Sequence, residues 1–146
     1  MNEAQVTKPV RTKRKRIFMM IGAAILVLAL PAFTWMFMEM HAANKALVAF
    51  GEALVSKDYD RAYSLTNSDF QAEMDKAAFV EQQKALSMRL GPLKKTVLGA
   101  SETVGNQHGW SSTISVRFEF ERAERQFAFV MKKEGGAWLV YSYTEQ

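Results

Sequence analysis

The residue types that could carry catalysis are scattered along this sequence. Asp58, Asp60 and Asp75 each stand at the start of a predicted helix, where N-capping and the helix dipole account for them. Glu119 and Glu121 fall on the outward alternation of a predicted strand. An acid and a base that act together must converge on one site, and these carboxylates do not. We therefore expect no catalytic residue among them.

Metal and cofactor motifs are also missing from the sequence. The chain has no cysteine and two widely separated histidines, His41 and His108. A zinc site needs three or four such ligands close together. The sequence has no Gly-x-Ser-x-Gly nucleophile elbow and no phosphate-binding glycine loop. We expect neither a metal nor a cofactor.

Aromatic and amide side chains are better candidates for a binding surface. Gln83 lies four residues after Phe79 and three before Leu86, so it shares their inner helix face. A buried amide needs hydrogen-bond partners. Either Gln83 sits at the edge of the contact and reaches water, or it lines a pocket. The candidate ligand- or partner-binding residues are Tyr59, Tyr63, Gln83, Trp110, Tyr141 and Tyr143. The alternative for the aromatic residues in this set is that they only fill the hydrophobic core.

The longest apolar stretch is Ile17–Met38, which runs 22 residues without a charge. At 1.5 Å per helical residue it spans roughly 33 Å, enough for a hydrocarbon core of about 30 Å. A cleaved signal peptide is the alternative, but its apolar region is usually shorter. Cleavage after Ala32 or Ala43 would also place Leu30 or His41 at the −3 position. We predict an uncleaved transmembrane helix that contacts the lipid bilayer.

A basic tail, residues 1–16, precedes this stretch and sets its predicted orientation. The tail holds six Lys or Arg residues and one acidic residue, whereas the rest of the chain is close to neutral. Cationic residues beside a membrane helix stay in the cytoplasm, and Arg11–Arg16 would attract anionic lipid headgroups. Nucleic-acid binding is the alternative for such a cluster; because its position alone explains it, we expect no nucleic acid. The protein is predicted in the inner (cytoplasmic) membrane, with residues 39–146 outside.

Residues 39–146 are long enough for one domain. No glycine or proline separates the membrane segment from the first predicted helix, so that helix is able to continue unbroken. Ala43, Leu47, Phe50 and Leu54 form its apolar stripe. The second helix is expected to end at Asn67 and Ser68, and the third at Gly91-Pro92. The three helices are predicted over residues 39–56, 58–66 and 75–89.

Alternating patterns follow the helices. Strands are predicted over residues 93–104, 110–121, 126–133 and 137–144, with a bulge at Gly99 and turns at 105–109 and 134–136. The expected inward residues are Ile114, Val116, Phe118, Phe120, Phe127, Phe129, Met131, Trp138, Val140, Tyr141 and Tyr143. The predicted fold is α+β: one N-terminal transmembrane helix, then three helices packed on a curved four-stranded antiparallel sheet.

Two stretches resemble nuclear-transport-factor-2-like domains. Residues 53–63, Ala-Leu-Val-Ser-Lys-Asp-Tyr-Asp-Arg-Ala-Tyr, are similar to the opening of such domains, and residues 127–140, with Gly135-Gly136 before Trp138, to their closing hairpin. The resemblance covers most of residues 43–144. It implies a cone in which a curved sheet wraps helices and leaves a pocket at the open end. The superfamily includes small membrane-anchored extracytoplasmic bacterial proteins, many without a known function, and enzymes such as ketosteroid isomerase and polyketide cyclases.

These patterns together favour a non-catalytic binding or scaffolding module tethered to the membrane. Its expected partner is another protein or a small apolar ligand. The alternative is an isomerase- or cyclase-like enzyme that uses Gln83 and the tyrosines as polar groups of the cone pocket. Fold alone does not decide between them.

Overall fold

A computed structural model describes the backbone of residues 11–106 and 109–146 and the side chains of residues 33–105 and 109–146. The described chain is α+β, as predicted, with helices followed by one four-stranded antiparallel sheet in the order β1-β2-β3-β4. The elements are α1 (Arg11–Val55), α2 (Tyr59–Ser64), α3 (Ser68–Glu73), α4 (Lys76–Leu90), β1 (Leu93–Asn106), β2 (Gly109–Phe120), β3 (Glu124–Glu134) and β4 (Ala137–Glu145).

The chain divides into two compact units, Met1–Phe37 and Met38–Gln146. Among the residues whose side chains are described, no helix is both long and apolar enough to cross a membrane. The predicted span Ile17–Met38 lies outside that part of the chain except for residues 33–38. The side chains of Arg11–Arg16 also lie outside it, so the span and its flanking charges stay predictions.

Polar N-cap side chains begin the helices α2, α3 and α4 of the second unit. Asp58 accepts a hydrogen bond from the backbone N–H of Arg61 at 3.1 Å, and Asp75 accepts one from Ala78 at 2.8 Å, as their sequence positions predicted. The prediction that the second helix ends at Asn67 and Ser68 is wrong, because α2 already ends at Ser64. Asn67 Oδ1 accepts from the N–H of Phe70 at 3.0 Å and so begins α3, a helix too short to show an apolar period.

The core lies between the helices and one face of the sheet. The predicted stripe of α1 is buried, and Phe50 packs edge-on against Phe129 of β3 with ring centroids 5.7 Å apart. Phe50 also contacts Phe79 of α4. The inward alternation of β2 and β3 is confirmed, since Ile114, Val116, Phe118, Phe120, Phe127, Phe129 and Met131 are buried. A register shift between Leu98 and Ser101 confirms the bulge near Gly99.

The hairpin turns are tighter than predicted. Asn106 pairs with Gly109, so β1 and β2 extend into the stretch that was expected to form a five-residue turn. Glu134 pairs with Ala137 and leaves a two-residue turn at Gly135 and Gly136. These glycines have φ of 57° and 85°, the left-handed pair that a type I′ turn needs.

Strand β4 breaks its own alternation. Val130 pairs with Ser142 and Met131 pairs with Val140, so Tyr141 is an extra residue. An extra residue reverses the faces of those that follow it. Tyr141 directly follows the buried Val140 and is not part of the core, so the prediction that it faces inward is wrong; Lys132 Nζ lies 3.2 Å from its ring centroid. The reversal acts on the residues after Tyr141 and turns Tyr143 toward the core. Tyr143 packs against the core as predicted.

Candidate functional site

A pocket of about 420 Å³ lies between α4 and the ends of β3 and β4. Its α4 wall exists because Asp75 caps the helix and Gly91, at φ 82°, ends it after fifteen residues. Along this helix, residues three and four apart share a face and can line one wall. The lining residues are Gln82, Gln83, Ala85, Leu86, Arg89, Phe127, Tyr143 and Glu145.

Tyr143 joins the sheet to α4 through two glutamine amides. Its hydroxyl donates to Gln82 Oε1 at 2.9 Å and accepts from Gln83 Nε2 at 3.1 Å. The Tyr143 ring stacks on Phe129 at 5.2 Å and on Phe70 at 6.0 Å, which fixes its position. Gln83 is 9% exposed. It lines the pocket and donates to the half-buried Tyr143, so its amide has a partner within the protein.

The electrostatics of Tyr143 favour a neutral hydroxyl. Burial raises the pKa of Tyr143 to about 12, and the hydrogen bond from Gln83 opposes this rise in part. At neutral pH the phenol keeps its proton, so it can donate a hydrogen bond to Gln82. Its described side-chain hydrogen bonds run to two amides and not to a carboxylate. This arrangement can hold and orient a ligand, but it does not pair an acid with a base.

Two charged residues stand at the rim of the pocket. Glu145 Oε1 lies 2.9 Å from Arg125 Nε, so its charge is already balanced. Within residues 33–105 and 109–146, Arg89 has neither an ion pair nor a side-chain hydrogen bond. The pocket is therefore lined by one cationic side chain, Arg89, by the polar hydroxyl of Tyr143 and by the apolar side chains of Leu86 and Phe127.

The other predicted site residues lie elsewhere. Tyr63 donates to the carbonyl of Met74 at 2.9 Å and packs on Phe79, which is a structural role. Tyr59 lines a second cavity that Gln83 also lines, of only about 20 Å³, room for about one water molecule. Trp110 lines a separate pocket. That separate pocket is the larger, at about 510 Å³. Of the six candidates, the structure brings Gln83 and Tyr143 together in the pocket beside α4.

Sequence reasoning missed a buried charge cluster at Glu39. Its side chain is 7% exposed; one carboxylate oxygen pairs with Lys133 Nζ and the other accepts from Trp138 Nε1 at 2.8 Å. A buried indole N–H usually needs an acceptor, and that was the available signal. Gln82 and Arg89 were also missed, because only the inner face of α4 was considered.

Metal binding finds no support in the described residues, where no three His, Cys, Asp or Glu side chains are grouped to hold an ion. No protein-family model matches the chain, and a search of curated proteins finds no significant relative.

Proposed function

We propose that this protein is a single-pass inner-membrane protein whose C-terminal domain, residues 39–146, lies outside the cytoplasm and binds a small, largely apolar ligand without transforming it. The α+β order, with helices before an antiparallel meander, supports a nuclear-transport-factor-2-like fold for that domain. A protein partner on the same domain is compatible with this role.

The exposed apolar side chains of α1 support the membrane anchor. Phe33 is 67% exposed and Trp35 is 58% exposed, and Met36 and Phe37 are exposed as well. At about 100° per residue, Phe33 and Trp35 lie on opposite sides of the helix, so no single packing face explains them. Apolar side chains exposed all round a helix are typical of a segment covered by lipid. Their position at the end of Ile17–Met38 agrees with an anchor whose aromatic residues lie at the headgroup level.

The observation that carries the binding function is the hydrogen-bonded set Gln82–Tyr143–Gln83 in the pocket. Two amides and a neutral phenol offer directional hydrogen bonds beside apolar walls, which is the usual composition of a ligand site. An isomerase-like site would instead need a carboxylate aimed at the reacting carbon and an acid aimed at its oxygen. Glu145, the carboxylate that lines the pocket, is paired with Arg125 at the rim.

Photo-crosslinking in intact membranes tests this function. A diazirine-bearing aliphatic residue replaces Leu86, which lines the pocket, or Leu139, which is half-buried on the opposite sheet face. We expect a small-molecule adduct at position 86 and none at position 139, as measured by the mass of the labelled peptide.

Two results would contradict the proposal. One is the absence of any small-molecule adduct at position 86 while both positions capture only protein. The other is conversion of the captured compound by the purified full-length chain, which would favour the enzyme alternative.

A further inference from the structure

Two hydrogen-bond donors stand at opposite ends of the pocket wall formed by α4. Gln82 and Arg89 are seven residues apart, which is two helical turns, so they lie on one face with about 10 Å of helix axis between them. Tyr143 occupies Gln82 Oε1, and the Gln82 Nε2 group is left to donate. Leu86 lies between them on the helix, and Phe127 of β3 lines the same pocket. The α4 wall therefore presents a hydrogen-bond donor at Gln82, an apolar surface at Leu86 and a second donor at Arg89.

The charge of the two ends differs. Arg89 is a guanidinium without an ion-pair partner in the described residues, whereas Gln82 is neutral. Glu145 does not cancel Arg89, because it is held by Arg125 at 2.9 Å. One planar guanidinium matches one carboxylate in a two-point contact, so the pocket suits a single carboxylate better than a dianion.

We propose that the ligand of this pocket is a medium-length monocarboxylate with an oxygen acceptor at its far end. Its carboxylate binds Arg89, its chain packs between Leu86 and Phe127, and its distal oxygen accepts from Gln82. An extended chain advances roughly 1.2 Å per bond, as it does in a peptide, so about eight bonds match the roughly 10 Å of helix axis between the two residues. This assignment rests on the proposed function of the pocket as a small-molecule site.

Equilibrium dialysis of the full-length chain in zwitterionic nanodiscs tests the assignment, with empty nanodiscs subtracted. The probes are 8-hydroxyoctanoate and the neutral 8-hydroxyoctanamide, which differ in charge and not in length. We expect the acid to bind about fivefold more tightly than the amide, the preference that one exposed ion pair provides. Arg89→Gln should remove that preference without weakening amide binding, and Arg89→Lys should keep part of it. Arg61→Gln, an exposed arginine on α2, is the matched control and should change neither affinity.

A second variant separates this inference from the function beneath it. Ala85→Trp fills the pocket and should lower both affinities at least tenfold. If Ala85→Trp abolishes binding but acid and amide bind equally, or Arg89→Gln leaves the preference intact, the carboxylate assignment is wrong and the pocket stands. If neither probe binds beyond empty nanodiscs, or Ala85→Trp has no effect, the assignment and the small-molecule function of the pocket both fail.

Discussion

The buried carboxylate of Glu39 should be energetically coupled to Lys133. Its side chain is 7% exposed and that of Lys133 is 28% exposed, so water screens the pair incompletely. Glu39→Gln keeps the shape and an acceptor for Trp138, but it leaves the ammonium without this counter-charge. Breaking a fully buried pair costs about 3–5 kcal/mol. Because Lys133 reaches water, we expect a smaller loss of unfolding free energy, about 2–3 kcal/mol.

A double-mutant cycle isolates that coupling. Lys133→Met leaves the carboxylate buried and should cost about 3–4 kcal/mol, because Glu39 is the more deeply buried partner. In the double variant neither charge remains, so its loss should be smaller than the sum of the single losses by about 2 kcal/mol. The measurement is urea unfolding of the full-length chain in mild detergent, followed by circular dichroism. Additivity of the two losses within about 0.5 kcal/mol would refute the reasoning.

Three further predictions concern the core, a cap and a titration. Phe118→Ala should cost ~3–5 kcal/mol in urea unfolding because Phe118 is 4% exposed, whereas Arg117→Ala on the outer face should cost under about 1 kcal/mol; equal losses would mean that the strand faces are reversed. Asn67→Ala should cost about 1 kcal/mol through loss of the α3 cap, and an unchanged unfolding midpoint would contradict that role. Tyr143 has a folded-state pKa of about 12 against an ordinary 10.0. Below pH 10 the hydroxyl is protonated in both the folded and the unfolded chain, so the unfolding free energy does not change. Between pH 10 and 12 only the unfolded chain loses this proton, so the unfolding free energy should fall by about 2–3 kcal/mol. Absorbance titration should show one late tyrosine that Tyr143→Phe removes, and its persistence in that variant would assign the late titration to another residue.

Most of the fold could be predicted from the regular spacing of apolar residues along the chain. The alternation of β2 and the four-three-four stripe of α1 are long enough to show which side is buried, and the structure confirms both. Asp58 and Asp75 could be recognised as caps because a helical period follows each. Helix α3 has six residues, less than two turns, so no period was available to reveal it.

The site was harder to predict because it depends on registry between distant segments. Simple alternation from Val140 places Tyr141 outward, and one extra residue in β4 turns Tyr143 inward; no local pattern marks that bulge. Gln83 was recognisable from its spacing to Phe79, but its partner Tyr143 lies 60 residues away. Glu39 and Trp138 are 99 residues apart, and only the folded chain brings them together.

The most direct test of the proposed architecture is the labelling of single cysteines in intact cells. The chain has no cysteine, so one can be introduced without a competing thiol. Met88 is 75% exposed on α4, and Met88→Cys reports on the domain; Ala4→Cys reports on the basic tail. With a membrane-impermeant maleimide, we expect Met88→Cys to be labelled before lysis and Ala4→Cys only after it. Labelling of Ala4→Cys before lysis, with Met88→Cys protected until lysis, would contradict a domain held outside the cytoplasm by Ile17–Met38.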